Sequence, residues 1–373
     1  MRILLLGEYS NVHWTLAEGL RALGHDVTVA SNGDFWKNYH RDIDLARDLS
    51  RKGTARFLLR LLRLLPRMKG YDIVQLINPM FLELKAERLW PVYQWLRNHN
   101  RKMVLGAFGM DYYWVHENIN RKPLRYSDFN FGNQVRQDVE ARRYISEWEG
   151  TAKGKLNQRI ARDCDAIVAG LYEYWATYQP VFPDKTCFIP FPIRPSLRPE
   201  ELPPRPEGEP LRLFLGINGK RSAYKGTDIM LRAAKAVQAE MPRRVRLTVV
   251  ESLPFKEYRR RMLEHDAILD QLYSYTPSMN PLEAMSHGII CIGGGEPENY
   301  AILNEETLRP IINVEPDEES CRQAIRQLAL HPERIDPLRR DSIAYICKHH
   351  DYKKVARKYE ALYRRLLNPE ETK

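Results

Sequence analysis

The sequence lacks the features of a membrane-spanning, disulfide-bonded or zinc-binding protein. Its 373 residues include no apolar run of the ~20 residues that a transmembrane helix needs. The first apolar run, Ile3 to Leu6, is cut short by Gly7 and Glu8, which excludes a signal-peptide core and predicts a buried strand. The five cysteines are scattered and form no Cys-x-x-Cys pair, which argues against a disulfide framework and a zinc site. We therefore expect a cytoplasmic protein.

Acidic residues are absent from the segment between Arg51 and Lys69, which holds seven basic residues. This segment carries much of the formal net charge of +10, and such an excess attracts anionic partners. Two stripes recur at helical spacing, one of arginines and one of leucines: Arg56, Arg60, Arg63 and Arg67, and Leu58, Leu61, Leu62 and Leu65. The pattern predicts an amphipathic helix over a sheet, whose basic stripe could also contact anionic headgroups at the inner membrane face, at about 1 kcal/mol per cation. Cations on one helix without an aromatic platform argue against nucleic-acid binding.

Short apolar runs alternate with helical patterns through the first half of the chain. The run Met1 to Gly7 precedes a helical pattern from Trp14 to Leu23, and a strand follows at Val27 to Ala30. Further strands are expected at residues 73–77, 103–106 and 166–169. This alternation is typical of a doubly wound parallel sheet.

A proline-rich segment from Pro195 to Pro206 predicts a stiff linker between two domains. The alternation restarts after it and ends in a helical pattern from Tyr352 to Leu367. The expected strands are 211–216, 245–250, 267–269 and 289–292, and the expected helices are 227–239 and 281–286. The sequence therefore predicts an α/β protein with two Rossmann-like domains. The first is residues 1–195, completed by the C-terminal helix within 352–373, and the second is residues 207–351.

The loop from Gly216 to Gly226 has the composition of a phosphate-binding turn. It lies between a strand and a helix, and Lys220, Arg221 and Lys225 suit a diphosphate beside the free N–H groups of that helix. Its spacing matches neither the Walker signature nor the dinucleotide-binding Gly-x-Gly-x-x-Gly. A solvated turn with surface cations is the alternative, and the loop alone does not decide between the two.

Three motifs, taken in order, resemble one enzyme family. Lys225-Gly226 follows a strand, Leu282 to Met285 reads Leu-Glu-Ala-Met, and Gly294 to Glu298 reads Gly-Gly-x-x-Glu. In this order they resemble the GT-B retaining glycosyltransferases of family 4, the "glycosyl transferases group 1" type, and the similarity runs over nearly the whole chain. The resemblance implies two Rossmann-like domains facing a central cleft, with the acceptor on the N-terminal domain and a nucleotide-sugar on the C-terminal domain.

The resemblance also implies a reaction, which is the transfer of a hexosyl or related group to an acceptor hydroxyl with retention and without a cofactor or essential metal. Lys225 with Lys220 or Arg221 would neutralise the departing diphosphate, and Glu283 would accept hydrogen bonds from the ribose hydroxyls. The loop residues nearest the donor sugar would be Ser278, Met279 and Asn280. The alternative for Glu283 is a carboxylate near a helix N-terminus that complements the helix dipole.

The chain departs from the family pattern at three positions, and one of them is Ser278, which stands where the family has a loop glycine. Tyr275, which we expect to bind the donor, stands where the family's Glu-x7-Glu pair has its first glutamate, and a phenol can bond a sugar hydroxyl but supplies no negative charge. Phe108 replaces the histidine of a His-Gly-x-Asp segment. Within that segment Asp111 is the candidate to orient or deprotonate the acceptor hydroxyl. Its alternative role is to cap a helix that begins near Tyr112.

Residues after the first strand are expected to line the acceptor side of the cleft, because open sheets bind ligands at the carboxyl ends of their strands. They are Gly7, Glu8, Asn11 and His13. His13 is alternatively a residue packed beneath this loop. Asp163 and Asp165 superficially resemble a metal-binding Asp-x-Asp, but their place before an apolar strand favours a structural turn, and no metal site is predicted.

The expected acceptor is a growing surface glycan, with a lipid-linked glycan as one form of it. Two alternatives remain open. A GT-B-related nucleotide-sugar epimerase or a relative of glycogen phosphorylase would share the fold, because fold alone does not determine function. A nucleotide-sugar-binding protein with impaired catalysis is the other, because Tyr275 and Phe108 replace family residues. Hydrolysis of a bound nucleotide-sugar separates an enzyme from a binding protein.

Overall fold

A computed structural model of the chain describes residues 1–219 and 222–369. The α-helices are α1 Val12–Ala22, α2 Arg51–Leu64, α3 Ala86–His99, α4 Tyr112–Asn120, α5 Val139–Trp148, α6 Ala152–Asp163, α7 Tyr172–Tyr178, α8 Ser222–Lys225, α9 Thr227–Glu240, α10 Phe255–Met262, α11 Met279–Ser286, α12 Pro297–Ile302, α13 Glu318–Leu330, α14 Ile335–Tyr345 and α15 Tyr352–Leu367. The strands are β1 Arg2–Leu6, β2 Asp26–Ser31, β3 Ile43–Asp44, β4 Ile73–Leu76, β5 Lys102–Ala107, β6 Asn130–Phe131, β7 Gln134–Val135, β8 Ala166–Ala169, β9 Thr186–Phe188, β10 Leu211–Ile217, β11 Val245–Glu251, β12 Ala267–Leu269, β13 Ile290–Gly293 and β14 Ile312–Asn313. None of the helices within the described ranges has the length and apolar content needed to cross a lipid bilayer.

The first compact unit is built on a seven-stranded sheet in the order β3-β2-β1-β4-β5-β8-β9, in which all neighbouring strands are parallel. It comprises residues 1–123, 144–192 and 352–373. The continuous apolar run of β1 is fully buried, as expected for a central strand with helices on both faces. Helix α15 packs on α1 so closely that a Cβ at Gly19 would lie 2.5 Å from the carbonyl oxygen of Tyr352.

The second compact unit is built on a five-stranded parallel sheet in the order β11-β10-β12-β13-β14. It comprises residues 124–143 and 193–351. Its core joins the central strands to helices α9 and α13 through residues such as Leu213, Met230, Ile290 and Ile325, all of which are inaccessible to solvent. Two parallel sheets of this kind confirm the predicted α/β class with Rossmann-like units.

Helix α11 begins at Met279, two residues earlier than the sequence predicts. Ser278 is its N-cap residue, with an extended backbone (ψ −174°). Pro281 is therefore the third residue of the helix, where a missing N–H is tolerated because the first four N–H groups have no partner within the helix. The proline was expected to start the helix, but here it lies inside the first turn.

Residues 124–143 form a segment that packs with the second unit. It contains the antiparallel hairpin β6–β7. The buried side chain of Asn130 ties the hairpin to its own base, donating from Nδ2 to the carbonyl oxygens of Leu124 at 2.8 Å and Gly132 at 3.0 Å. No periodicity in the sequence indicated this hairpin, because each strand has only two residues.

Candidate functional site

The second sheet has a topological switch point between β10 and β12. From β10 the chain builds β11 on one side, and β12 then forms on the other side of β10. Open α/β sheets bind ligands in the crevice outside the carboxyl ends of the strands at such a point. The residues that follow these two strands are therefore the candidates, namely Lys225 in the connection after β10 and Asp270 directly after β12.

Lys225 is the half-buried last residue of α8. Gly226 follows it with φ 72°, in the left-handed region, and a Cβ there would lie 2.9 Å from the Cβ of Leu272. The N–H of Leu272 donates to the carbonyl oxygen of Lys225 at 3.0 Å. Glycine is the residue that meets both constraints, so the Lys-Gly pair holds Lys225 beside the end of β12. Lys220 and Arg221, predicted on the same loop, lie outside the described residues.

Asp270 is a candidate site residue that the sequence did not point to. Its Oδ2 atom is buried, and among the residues described it has no hydrogen-bond partner. Burial raises the pKa of this carboxyl group to about 6, while the positive charge of Lys225 acts in the opposite direction. A buried carboxylate oxygen without a partner costs stability, so it requires an explanation. The signal in the sequence is an acidic residue directly after an apolar strand.

Helix α10 lies between β11 and β12 in the chain, and its Tyr258 contacts both the end of β10 and the start of α11. The Tyr258 ring lies so close to Gly216 that a Cβ there would be 2.5 Å from Cε2 of the ring. The Tyr258 hydroxyl accepts a hydrogen bond from Asn280 Nδ2 at 2.9 Å. Asn280 belongs to the predicted donor loop with Ser278 and Met279, and all three are half-buried. Tyr258 thus holds the predicted donor loop near the carboxyl edge of the second sheet.

Glu283 lies in the second turn of α11, beyond the first turn in which a helix dipole acts most strongly. Its Oε1 accepts hydrogen bonds from Arg259 Nε at 3.0 Å and Nη2 at 2.8 Å, and lies 3.5 Å from His287 Nε2. Burial raises the pKa of Glu283, but the hydrogen bonds from His287 and Arg259 outweigh it and hold the pKa below its usual value. Within the described residues all these contacts are to Oε1. An ionised carboxylate with Oε2 left open can accept hydrogen bonds from ribose hydroxyls.

Tyr275 is only 1% exposed and is engaged with residues 124–143. Its hydroxyl accepts a hydrogen bond from the backbone N–H of Arg125 at 2.7 Å, and the Arg125 guanidinium lies 5.0 Å from its ring centroid. The Tyr126 ring packs against it at 4.9 Å. Arg125 also pairs with Glu296 at 2.5 Å and Glu298 at 2.7 Å. Position 275, which the sequence analysis assigned to donor binding, therefore lies in a packed cluster of aromatic and charged side chains.

Arg136 holds the helix that ends at Lys225. Its guanidinium donates to the carbonyl oxygens of Ala223 at 3.0 Å and Tyr224 at 3.1 Å. It also stacks on the Tyr273 ring, 3.6 Å from the centroid. The planar, multi-donor guanidinium suits this combination of stacking and hydrogen bonding. Arg136 is a second residue that sequence reasoning missed, since it is remote in sequence from the loop that it supports.

Close packing at the end of β13 requires glycine at both positions of the Gly-Gly-x-x-Glu turn. A Cβ at Gly294 would lie 2.1 Å from the carbonyl oxygen of Ser274, and one at Gly295 would lie 2.7 Å from the Ile311 side chain. The turn therefore brings the segment after β12 against the end of β13, and its glutamate is the Glu298 that pairs with Arg125.

The first sheet has its own switch point, between β1 and β4, and a cavity opens there. The cavity is lined by Gly7, Glu8, Tyr9, Asn32, Phe35, Leu45, Ile77, Met80, Phe81, Leu82 and Glu83. Gly7 was predicted to line this region, and its φ of 90° and the contact of a Cβ with Ile77 Cγ2 at 2.2 Å require glycine. Asn32 and Glu83 were missed because they come from the loops after β2 and β4, which become neighbours of β1 only in the folded sheet.

Glu8 and His13 are both buried and have partners within the first unit. Glu8 accepts the N–H of His13 at 3.1 Å and of Trp14 at 2.9 Å, and burial raises its pKa to about 8 despite these bonds. The His13 ring bonds the Gly7 carbonyl oxygen through Nδ1 at 2.8 Å, and the Gln75 amide lies 3.2 Å from Nε2. Burial lowers the pKa of His13 to about 3, so the ring is neutral. His13 lies beneath the loop, which matches its structural alternative.

Asn11 has a left-handed backbone, with φ 69°, at the start of α1. Its side chain donates to the Thr15 hydroxyl at 3.2 Å. Asparagine tolerates this backbone region better than most residues, and Asn11 is half-buried beside the predicted acceptor loop.

Asp111 is fully buried and caps α4. Its Oδ1 accepts the Trp114 N–H at 2.8 Å, and its Oδ2 accepts the Tyr178 hydroxyl at 2.8 Å. Burial raises the pKa of Asp111 to about 7, although these hydrogen bonds act to lower it. Phe108 is also buried, and its ring meets the ring of His13 edge-on at 6.2 Å. The carboxylate thus has the geometry of a helix cap.

Asp163 and Asp165 make structural contacts at the start of β8. Asp163 accepts the Tyr93 hydroxyl at 2.7 Å, and Asp165 accepts the Met103 N–H at 2.8 Å and pairs with Lys102 at 3.3 Å. These partners agree with a structural turn.

Helix α2 buries Phe57 and Leu61, but Leu62, expected on the same side, is 65% exposed. Arg60, expected in the basic stripe, instead bonds the backbone carbonyl of Ala46. Phe57 and Leu61 lie four residues apart and therefore share one face of the helix. Side chains on the two flanks of that face point away from it in different directions.

Solved structures share this fold over nearly the whole chain. Sucrose-phosphate synthase from Thermosynechococcus elongatus is 14% identical, with a TM-score of 0.62 over 99% of this chain and 100% of that chain. HepE from Anabaena, in complex with UDP-glucose, is 11% identical, with a TM-score of 0.60 over 97% and 99%. WaaG, a glycosyltransferase involved in lipopolysaccharide biosynthesis, is 13% identical, with a TM-score of 0.58 over 97% and 99%. No family model and no curated protein sequence matches the chain. The chain has the GT-B fold.

Proposed function

We propose that the chain is a glycosyltransferase. It transfers a hexosyl or related group from a nucleotide-sugar to a hydroxyl of a glycan or lipid-linked glycan, with retention, in the synthesis of a surface polysaccharide. The observation that carries this proposal is the placing of Lys225 at the switch point of the second sheet, with Glu283 held in its ionised form by Arg259. HepE, which shares the fold, binds UDP-glucose.

Each proposed role follows from charge and hydrogen-bonding capacity. The ammonium group of Lys225 neutralises the diphosphate as it departs, which stabilises the transition state more than the ground state. Glu283 Oε2 accepts hydrogen bonds from the ribose. Ser278, Met279 and Asn280 approach the sugar, and neither a cofactor nor a metal ion is required.

The acceptor side is assigned to the first unit, at the cavity beside Gly7 and Glu8. Two carboxyl groups, Glu8 and Glu83, line this cavity together with aromatic side chains, a combination that suits a sugar. Because both carboxylate oxygens of Asp111 are occupied by Trp114 and Tyr178, we assign it the orienting role of fixing α4 beside the acceptor loop.

Helix α2 suits peripheral contact with an anionic membrane. Leu59 and Leu62 are 61% and 65% exposed on its outer face, among the exposed cations Arg56 and Arg63. Exposed leucines enter the headgroup boundary, and the cations meet anionic headgroups. A lipid-linked acceptor would be presented at such a surface.

The test is a screen of the purified protein against UDP-, ADP- and GDP-sugars, with binding measured by calorimetry and donor hydrolysis measured by nucleotide release. Lys225→Ala and Glu283→Ala should each lower the rate by about 10- to 100-fold, which corresponds to the ~1.5–3 kcal/mol of a hydrogen bond to a charged group. Lys235→Ala, which removes an exposed lysine from α9, is the matched control and should be unchanged. Near-normal rates in both site variants would reject the assignment of the donor site.

A catalytically impaired nucleotide-sugar-binding protein is the second candidate. It is favoured by the burial of Tyr275, whose hydroxyl is occupied by Arg125 at the position where the family has a glutamate. Tight nucleotide-sugar binding with neither hydrolysis nor transfer would select this candidate.

A further inference from the structure

We propose that Asp270 recognises the donor sugar, its unpaired carboxylate oxygen accepting a hydrogen bond from a hydroxyl of the group that is transferred. This inference rests on the proposed function and adds to it a residue that determines donor specificity. Asp270 would contact the substrate directly.

The location of Asp270 is that of a ligand-binding residue. It follows β12, one of the two strands that flank the switch point, and its N–H bonds the carbonyl oxygen of Ile292 at 3.1 Å. Its Cβ is 3.4 Å from the position a Cβ would occupy at Gly293, so the glycine leaves room beside it. The carbonyl oxygen of Lys225 accepts the N–H of Leu272, two residues after Asp270, at 3.0 Å, and the positive charge of Lys225 acts to lower the pKa of Asp270. The carboxylate therefore lies beside the proposed diphosphate site.

The two aspartates that flank β12, Asp266 and Asp270, have different contacts, and this difference separates a structural role from a functional one. Asp266, just before β12, is buried, and it accepts hydrogen bonds from Arg212 N at 2.9 Å, Arg212 Nη2 at 2.8 Å and Arg205 Nε at 3.3 Å. These contacts outweigh burial and hold the pKa of Asp266 below its usual value. Asp270, at the other end, has a buried oxygen with no partner among the residues described. The protein therefore supplies hydrogen-bond partners for the carboxylate of Asp266, whereas Oδ2 of Asp270 can take its partner from a ligand.

The chemistry of the missing partner follows from the surrounding charges. A carboxylate accepts hydrogen bonds and repels phosphate, so the diphosphate belongs with Lys225 and a neutral donor group belongs with Asp270. Among the residues that the structure describes, the other titratable groups that interact electrostatically with it are Cys291 on β13 and Tyr258 on α10, and neither carries a positive charge. A sugar hydroxyl next to the diphosphate is the neutral donor that a nucleotide-sugar places there.

The experiment compares Asp270→Asn with the wild type in binding UDP, ADP and GDP and the corresponding nucleotide-glucose, -galactose and -mannose compounds. For the nucleotide-sugar that the wild type binds best, the variant should bind about 10- to 100-fold more weakly. Its affinity for the matching free nucleoside diphosphate should be unchanged, because that ligand has no sugar to recognise. Glu264→Gln, an exposed carboxylate before the start of β12, is the matched control and should change neither affinity.

A stability measurement shows whether the variant is folded and tests the cost of the unpaired oxygen. The melting temperature of Asp270→Asn at pH 8 should equal or exceed that of the wild type, because the amide removes a buried charge. Equal losses for nucleotide-sugar and free diphosphate would overturn the proposal, as would unchanged affinity for both. If the wild type binds none of the compounds, the proposed function itself fails and this inference falls with it.

Discussion

Replacing Asp111 with asparagine should remove a pH-dependent loss of stability from the first unit. Burial raises the pKa of Asp111 from 3.8 to about 7. In the unfolded chain the group loses its proton near its ordinary pKa, and in the folded chain near 7. Between these values the unfolded state binds fewer protons, so the free energy of unfolding falls as pH rises from about 4 to about 7 and is level above that.

The expected magnitude follows from the pKa difference. A difference of about three units at 1.36 kcal/mol each gives at most about 4 kcal/mol. Asparagine keeps the geometry, since its oxygen can accept the Trp114 N–H and its amide can donate to the Tyr178 hydroxyl. The stability of Asp111→Asn relative to the wild type should therefore increase by up to this amount between pH 4 and pH 8, while other groups titrate alike in both proteins.

Tryptophan fluorescence during urea unfolding is the suitable assay. All seven tryptophans lie in segments of the first unit, so the signal follows that unit even if the two units unfold separately. A stability difference that stays constant from pH 4 to pH 8 would refute the reasoning, because it would mean that the Asp111 carboxyl ionises in the folded protein as it does in water.

Two further predictions concern the support of Lys225 and the outer face of α2. Arg136→Lys keeps the charge but loses the planar fork, so it should weaken UDP binding in calorimetry by about tenfold, or about 1.4 kcal/mol. Arg142→Lys, at an exposed arginine of the same unit, is the control and should bind UDP as the wild type does. Unchanged UDP affinity in Arg136→Lys would contradict the role of Arg136 in supporting Lys225. The double variant Leu59→Gln/Leu62→Gln should keep its melting temperature and lose co-sedimentation with vesicles of anionic phospholipid. Leu330→Gln, at an exposed leucine of α13, should still co-sediment, and retained binding by the double variant would exclude α2 as the contact.

The elements that sequence reasoning predicted well are those whose cause is local. Strand β1 is a run of apolar residues buried on both faces, and Gly226 is required by its own backbone angle and its immediate neighbours. Lys225 was chosen as a candidate for the same reason, since a Lys-Gly pair between a strand and a helix is visible in one short window. Helix α2 was also predicted, but the spacing alone could not tell which neighbouring stripe faces the core, so Arg60 and Leu62 were assigned to the wrong sides.

The features that sequence reasoning missed depend on contacts between distant residues. Tyr275 was interpreted as a phenol that bonds the donor sugar because its partner, Arg125, lies 150 residues away. Arg136 was overlooked because the carbonyl groups it binds are 87 and 88 residues later. Asp266 is reached by two arginines and Asp270 has an oxygen without a partner among the residues described, a difference that no pattern within the strand reveals.

The grouping of residues 124–143 with residues 193–351 has a consequence for how the protein is synthesised and divided. A fragment beginning at Ile193 would lack Arg125 and Arg136, leaving Tyr275 uncovered and α8 unsupported. The first unit likewise needs α15, whose Tyr363 hydroxyl bonds Gln75 at 2.7 Å across 288 residues of sequence. Neither unit can therefore finish folding on the ribosome before much later segments emerge, and the chain depends on long-range contacts that make folding slow. If the two units are to be expressed separately, each must include all of its own segments, which alternate along the chain. A single cut at the proline-rich linker does not separate them.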